Sequence, residues 1–176
     1  NGNPWAIPRP EEACHVPVYG RVVHDNDRQG RYNPMWLDWQ LLIGVPYDMP
    51  IVGYGGRTVN RLRLFAARSS QDFDMGIFNE GDYINAVQQK ISSETISKVL
   101  YPSDAVEAGR ELRLLQEYFL VACAVRDIVR GFLAKSNDFS VFADRVAIQL
   151  NDTHPALAVA ELMRVLVDEN NLEWGP

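Results

Sequence analysis

The chain has 176 residues, of which 47% are hydrophobic, enough to build the core of one sizeable domain. Its formal net charge of −6 is spread along the sequence without a run of Lys or Arg, which argues against nucleic acid as a partner. The most hydrophobic segment has an uncharged apolar run at residues 118–125, far shorter than the ~20 residues that cross a bilayer, so no membrane segment is expected.

The two cysteines indicate the cellular location of the protein, and the first residue indicates whether the sequence is part of a longer chain. Cys123 lies inside an apolar helical pattern, where a free thiol behaves as a small hydrophobe, and Cys14 is far from it in sequence. This usage predicts a reducing, cytoplasmic location. Because the sequence begins at Asn1 without a signal-peptide pattern, we expect it to be a piece of a longer protein.

The first part of the chain is rich in proline, which disfavours long helices and favours extended segments joined by turns. Alternating residues predict strands over 16–23, 36–45 and 59–67. In the third strand Leu62 and Leu64 fall on one face, which we expect to be the buried side. The strands are expected to form an antiparallel meander.

The apolar spacing becomes helical after residue 80. It predicts a moderately amphipathic helix over 82–98, which ends before the turn that contains Pro102. A second helix, over 110–134, is apolar nearly all round in its middle. Such a helix is expected to be buried within a large protein.

The last section has the order strand, loop, helix. The predicted strand covers 145–150, and the loop 151–155 leads into a helix over 156–169, with the whole unit spanning 145–169. Parallel neighbours for this strand cannot be found in the sequence. The predicted core-facing stripe of the helix consists of Val159, Leu162, Met163 and Leu166.

Two loops carry polar residues that could act on a ligand. Asp152 and His154 follow the predicted strand 145–150, and ligands of open α/β sheets bind beyond the carboxyl ends of strands. The alternative is that Asp152 and Thr153 cap the helix and His154 only packs. Asp104 precedes the long helix, with Arg113 one turn inside it, and Asp104 could also be a simple cap or turn residue.

Other polar features are weaker signals. The glycine-rich residues 53–56 lack the helix and Lys of a phosphate loop and predict a turn. His15 and His24 have no cysteine or paired carboxylate at metal-ligand spacing, so no metal site is expected. Three arginines could bind an anion or be salt-bridged: Arg63, Arg126 and Arg130. Spacing alone therefore predicts a soluble α/β fragment and no particular reaction.

Several segments occur in one order along nearly the whole chain. They include Gly2-Asn3-Pro4-Trp5, Tyr19-Gly20-Arg21-Val22, Pro46-Tyr47-Asp48-Met49-Pro50, Val99-Leu100-Tyr101-Pro102-Ser103-Asp104, Gln116-Glu117-Tyr118-Phe119 and Val146-Ala147-Ile148-Gln149-Leu150-Asn151-Asp152-Thr153-His154-Pro155. Together they resemble the α-glucan phosphorylase family, whose members act on glycogen, starch or maltodextrin.

The resemblance implies a fold and a reaction. Members are two-lobed enzymes of the glycosyltransferase-B type that use pyridoxal phosphate to cleave α-1,4-glucan with phosphate, giving glucose 1-phosphate. This chain would be an incomplete piece of the Rossmann-like N-terminal lobe, strand-rich over 1–79 and helical afterwards. The Schiff-base lysine lies in the other lobe, and Lys90, Lys98 and Lys135 do not correspond to it. The chain alone is therefore expected to hold no cofactor, no complete catalytic set and no activity.

The resemblance also assigns roles to the polar residues. Residues 103–105 would be the gate beside the cleft, and Asp104, Arg113, Asp152 and His154 would line the channel next to the sugar. Such groups suit sugar hydroxyls, which need donors and acceptors at fixed positions. Ala105 and Val106 stand where an asparagine and an aromatic residue are common, which argues against gate closure by aromatic stacking.

Two further expectations concern assembly and regulation. The helix over 82–98 resembles the tower helix that makes the homodimer contact. Arg63 and Arg130 resemble arginines of the nucleotide-activator site, although Gly131 replaces the second arginine of that pair, which argues against activation by AMP. The alternatives from another class are a free-standing glucan-binding module and a dimerisation module. A glucan-binding module would need exposed aromatic platforms, and the spacing of Trp36 and Trp39 does not place both on a single face.

Overall fold

A computed structural model of the chain describes residues 3–69 and 83–173, with side chains of the first helix described from residue 91 onwards. The strands are β1 (Ile7–Pro8), β2 (Cys14–Val18), β3 (Arg21–Val23), β4 (Met35–Leu37), β5 (Gln40–Val52) and β6 (Val59–Ser69). The helices are α1 (Tyr83–Lys98), α2 (Glu107–Leu133), α3 (Phe142–Arg145) and α4 (Leu157–Arg164). The chain thus has mixed strand and helix content.

The main sheet is built around the long strand β5. β6 pairs with one edge of β5, while β1 and β2 follow each other along the opposite edge. Pro46 lies within β5 without an N–H to donate, but its carbonyl accepts a hydrogen bond from the Arg9 N–H at 2.8 Å. All strand pairs in the described part of the chain are antiparallel.

Two predicted strands are interrupted. The prediction of one strand over 16–23 is wrong, because Tyr19 and Gly20 take positive φ angles of 62° and 77° and divide it into β2 and β3. Asp38, with a φ of 57°, likewise separates β4 from β5 within the range predicted as 36–45. β3 and β4 pair with each other in a small second sheet, so the strands do not form one meander.

The buried face of β6 is the opposite of the predicted one. Leu62 and Leu64 are 44% and 48% exposed, whereas Ala67 is buried and Phe65 packs against the same core. The reason is that α2 lies on the face that carries Arg63, Phe65 and Ala67, and the alternation of a strand then turns the leucines away.

Helix α2 lies between two hydrophobic clusters, which explains why its sequence is apolar on most sides. Towards the sheet it packs Phe119, Ala122 and Cys123, together with residues of β2, β5 and β6. On its other side it packs Val121, Val125 and Val129 against α4. The predicted burial is incomplete, since outward side chains remain exposed: Leu114 and Leu120.

The predicted strand–loop–helix unit differs from the structure in two ways. Residues 146–150 form no strand, because no strand in the described ranges lies beside them to supply a ladder of hydrogen bonds. A 3-10 turn at His154–Ala156 leads into α4, and a π-helical turn, Val165–Glu169, ends it. The buried stripe consists of Ala158, Glu161 and Val165, so the predicted stripe through Val159 and Met163 is wrong.

Candidate functional site

The predicted cleft residues meet along the first half of α2. An Asp104 carboxylate oxygen accepts a hydrogen bond from Arg113 at 3.1 Å. One turn further, Glu117 contacts the Nδ1 atom of His154 at 3.0 Å, and Nε2 of His154 lies 3.7 Å from an Asp152 oxygen. Because residues four apart share a helix face, both groups lie along one stretch of α2.

Glu117 was missed as a site residue by the sequence reasoning. It occurs within the segment 116–119 that contributes to the family resemblance, and its i+4 spacing from Arg113 places it on the same face of the predicted helix. The contact with His154, 37 residues away, could not be read from spacing. We define the cleft-wall cluster as Asp104, Arg113, Glu117, Asp152 and His154.

Gly109 allows the loop 103–105 to lie close to the start of α2. A Cβ atom at this position would lie 1.7 Å from the carbonyl oxygen of Ser103, so only glycine permits the observed approach. Arg110 adds a hydrogen bond of 3.0 Å to the carbonyl of Asp104. The residue at the helix N-cap is Val106, so Asp104 is not the cap, but it lies in the turn before α2, as the other part of that alternative predicts.

The loop before α4 also presents its polar side chains to solvent. Asp152 has a positive φ of 68°, and its Oδ1 accepts the Thr153 N–H at 2.6 Å. Within the described residues, no side chain caps the 3-10 turn or α4, so the capping alternative for Asp152 and Thr153 is wrong. The side chain of His154 is 55% exposed, which excludes the alternative that it only packs.

The cleft-wall cluster offers donors and acceptors to an uncharged polar ligand. The hydrogen bond from Thr153 and the nearby His154 lower the pKa of Asp152, so its carboxylate is an acceptor at neutral pH. When the Nδ1–H of His154 donates to Glu117, Nε2 is left as an acceptor. Arg113 adds further N–H donors. The arrangement can bind and orient hydroxyl groups.

Arg63 and Arg130 are brought together by shared carboxylates. Both guanidinium groups contact Glu12, at 2.5 and 2.6 Å, and both contact Asp127. Arg63 also holds Asp48 through two hydrogen bonds of 2.6 and 2.7 Å, which lower the pKa of that carboxyl group. An anion reaching these arginines would have to compete with carboxylates already in place.

The remaining polar candidates do not join this cluster. Arg126 pairs with Glu169, at 2.5 and 3.0 Å, and so takes the predicted salt-bridged alternative. His15 and His24 belong to no group of three potential metal ligands within the described ranges. In residues 3–69 and 83–173 there is also no helix long and apolar enough to span a membrane.

The described lysines do not fit a pyridoxal phosphate site. A Schiff-base lysine needs a desolvated or cationic environment that depresses its pKa. Lys98 is instead two-thirds exposed and paired with Glu94 one turn earlier in α1. Lys135 is exposed at the end of α2. The side chain of Lys90 lies outside the described residues.

The comparisons with known proteins identify the family of the chain. The family model for carbohydrate phosphorylase matches residues 1–176. The chain therefore belongs to the carbohydrate phosphorylase family.

The relatives are more specific. The chain is 49% identical to a glycogen phosphorylase of Synechocystis over 173 residues, which is 98% of this chain and 20% of that protein. It is 48% identical to the mouse brain form and to the human liver form of glycogen phosphorylase, covering 98% and 99% of this chain and 21% of each relative. The chain thus spans about a fifth of the length of the curated relatives it matches.

Proposed function

We propose that this chain is part of the N-terminal lobe of an α-1,4-glucan phosphorylase of the glycosyltransferase-B type, which releases glucose 1-phosphate from glycogen or maltodextrin. Family membership and the relatives named glycogen phosphorylase support the reaction. The observation that carries the role of this chain is the cleft-wall cluster, where Arg113 and Glu117 on one face of α2 contact Asp104 and His154, and His154 lies beside Asp152.

In this proposal the cluster binds and orients the glucan. Sugar hydroxyls require donors and acceptors at fixed positions, and the hydrogen bonds within the cluster orient Arg113 and His154. Glu117 fixes the imidazole of His154 from one side, so Nε2 can accept a hydrogen bond from a hydroxyl group. Arg113 is held in the same way by Asp104, which belongs to the loop at the start of α2.

Pyridoxal phosphate, as the cofactor of the intact enzyme, would supply a phosphate group that handles protons. Lys98 and Lys135 do not fit its attachment, and the family resemblance implies that the attachment lysine belongs to the other lobe, so we propose that this lobe would hold it. Phosphate, as the second substrate, would be bound there too. The contribution of this chain is substrate positioning, and residues 1–176 alone are expected to be inactive.

Three secondary proposals follow from the same family. We place α1 at a homodimer contact, supported by Ile91, which is exposed on its surface. We treat Arg63 and Arg130 as a candidate effector site, supported by their convergence on Glu12. We also propose a cytoplasmic location, supported by the free thiols of both cysteines.

The test uses His154→Ala in the intact protein, with His24→Ala as the matched control. His24 is exposed and bonded to Tyr32, on the β3–β4 side of the molecule. Losing one hydrogen bond to a sugar hydroxyl costs ~1–3 kcal/mol, so kcat/KM for a maltooligosaccharide should fall roughly tenfold to a hundredfold. Cofactor absorbance should be unchanged in both variants. Unchanged kinetics in His154→Ala would refute the positioning role.

A further inference from the structure

The two cysteines, distant in sequence, meet in the core between β2 and α2. Cys14 lies opposite Gly44 in the β2–β5 register, and Cys123 is completely buried on the sheet-facing side of α2. A Cβ atom built on Gly44 would lie 2.3 Å from the sulfur of Cys123 and 2.8 Å from that of Cys14. Both sulfur atoms therefore occupy the space beside one glycine.

Gly44 makes this contact possible. The Cβ atom of any other residue at this position would overlap with both sulfur atoms. Because Gly44 has no side chain, the two thiols can approach each other. Cys14 also donates a weak hydrogen bond to the Gly44 carbonyl at 3.5 Å. Neither thiol is bound in a disulfide.

The two thiols differ in environment. Cys14 is half-buried and lines, with Cys123, a cavity of about 390 Å³ whose wall also carries Arg126, Asp127 and Arg130. The neighbouring Cys123 thiol and the positive charges of Arg126 and Arg130 lower the pKa of Cys14, while its burial and the carboxylate of Asp127 act in the opposite direction. Burial raises the pKa of Cys123. Cys14 is therefore the thiol that ionises first and that a small molecule reaches.

We propose that Cys14 and Cys123 form a reversible intrachain disulfide on exposure to a peroxide, with Cys14 as the attacking thiol and Cys123 as the resolving thiol. The geometry supports it because the two sulfur atoms lie 2.3 and 2.8 Å from one point beside Gly44, which limits their separation to about 5 Å. The cavity provides access for hydrogen peroxide.

The chemistry balances in two steps. The Cys14 thiolate attacks one oxygen of hydrogen peroxide, the O–O bond breaks, and Cys14 sulfenic acid and hydroxide form. The sulfur of Cys123 then attacks the sulfenic sulfur, and the hydroxyl group leaves as water with the thiol proton. The two thiols are oxidised by one peroxide, which is reduced to two molecules of water.

The linkage would join β2 to α2 beside the arginine pair. Cys14 is two residues after Glu12, whose carboxylate and carbonyl hold Arg130 and whose carboxylate holds Arg63. Oxidation therefore fixes the start of β2, two residues after the 3-10 turn Pro10–Glu12 that supplies one of the shared carboxylates to the candidate effector site. Reduction by a dithiol restores the free thiols.

The test treats the intact protein with hydrogen peroxide, blocks the remaining thiols and maps peptides by mass spectrometry. We expect a peptide that joins Cys14 to Cys123, lighter by two hydrogen atoms than the sum of its parts, in the majority of molecules, and its loss after dithiothreitol. If both cysteines stay reduced, or if either is linked to a different cysteine, the proposal is overturned.

Two serine variants test the assigned order. In Cys123→Ser, Cys14 should accumulate as sulfenic acid and be labelled by dimedone, because its resolving partner is gone. In Cys14→Ser, Cys123 should remain unlabelled, because it is buried. Dimedone labelling of Cys123 in Cys14→Ser, at the level seen for Cys14 in the other variant, would show that the roles are wrong. The wild-type mapping decides the proposal even if a variant folds poorly.

Discussion

Replacing Gly109 with Ala tests how the loop 103–105 is held against α2. In an open helix position this change would stabilise the protein by up to ~1 kcal/mol, because Ala is the better helix former. At Gly109, however, the new Cβ would lie 1.7 Å from a backbone oxygen of Ser103, which cannot rotate away. Forcing extra atoms into a packed site costs ~1–3 kcal/mol. The clash outweighs the helix propensity, so a net loss of up to ~2 kcal/mol is expected.

The matched control is Gly131→Ala in the same helix. No described atom lies within 4 Å of a Cβ built at Gly131, which is exposed, so this variant should gain about 0.4–1 kcal/mol. Urea denaturation of both variants in the intact protein measures the difference. Because the displaced loop carries Asp104, Gly109→Ala should also weaken glucan handling while Gly131→Ala should not. Equal stabilisation of both variants would show that a Cβ atom at Gly109 does not clash with the carbonyl oxygen of Ser103.

Three further predictions follow from the structure. Asp48→Asn should cost ~1.5–3 kcal/mol at pH 7, because its charge-assisted bonds to Arg63 become neutral while Glu12 and Asp127 still pair with Arg63, against at most ~1 kcal/mol for the exposed control Asp38→Asn. Folding lowers the pKa of Asp48, so the ionised carboxylate stabilises the protein above the usual Asp pKa, and this stabilisation is lost as the pH falls through the lower pKa of the folded state. The difference in the free energy of unfolding between wild type and Asp48→Asn, measured with urea, should therefore narrow below pH ~4. Glu117→Gln should lower kcat/KM for a maltooligosaccharide roughly fivefold, because a charge-assisted bond to His154 becomes a neutral one worth about 1 kcal/mol less. A larger effect than that of His154→Ala would contradict the proposal that Glu117 acts through His154. Residues 1–176 alone should associate in light-scattering measurements through the apolar face around Leu62, and a monomer at high concentration would contradict this.

The sequence pattern predicted where helices and strands occur better than it predicted which side of each is buried. The long helix was found within three residues of its start because its apolar residues extend over many turns, and burial between two clusters explains that extent. The buried face of β6 was assigned wrongly because the pattern gave equal weight to Leu62 and Phe65. What decided it was Arg63, a charged residue that turns inward because three carboxylates are there to meet it: Glu12, Asp48 and Asp127.

The site was predicted in part. Asp104, Arg113, Asp152 and His154 were chosen from loop positions and from the family resemblance. The structure pairs Asp104 with Arg113 of α2 and His154 with Glu117 of α2, and it places Asp152 beside His154. Glu117 was not chosen, since the contact that gives it a role depends on how the loop before α4 packs against α2. Strand 145–150 failed for a related reason, because a strand needs a neighbour that the local sequence does not contain.

The most direct measurement of the central claim is phosphorolysis by the intact protein. Maltoheptaose is incubated with and without inorganic phosphate, and glucose 1-phosphate and free glucose are measured separately. We expect glucose 1-phosphate to be released only when phosphate is present, and its release to fall roughly tenfold to a hundredfold in His154→Ala. Release of free glucose independent of phosphate, or no cleavage of the glucan at all, would contradict it.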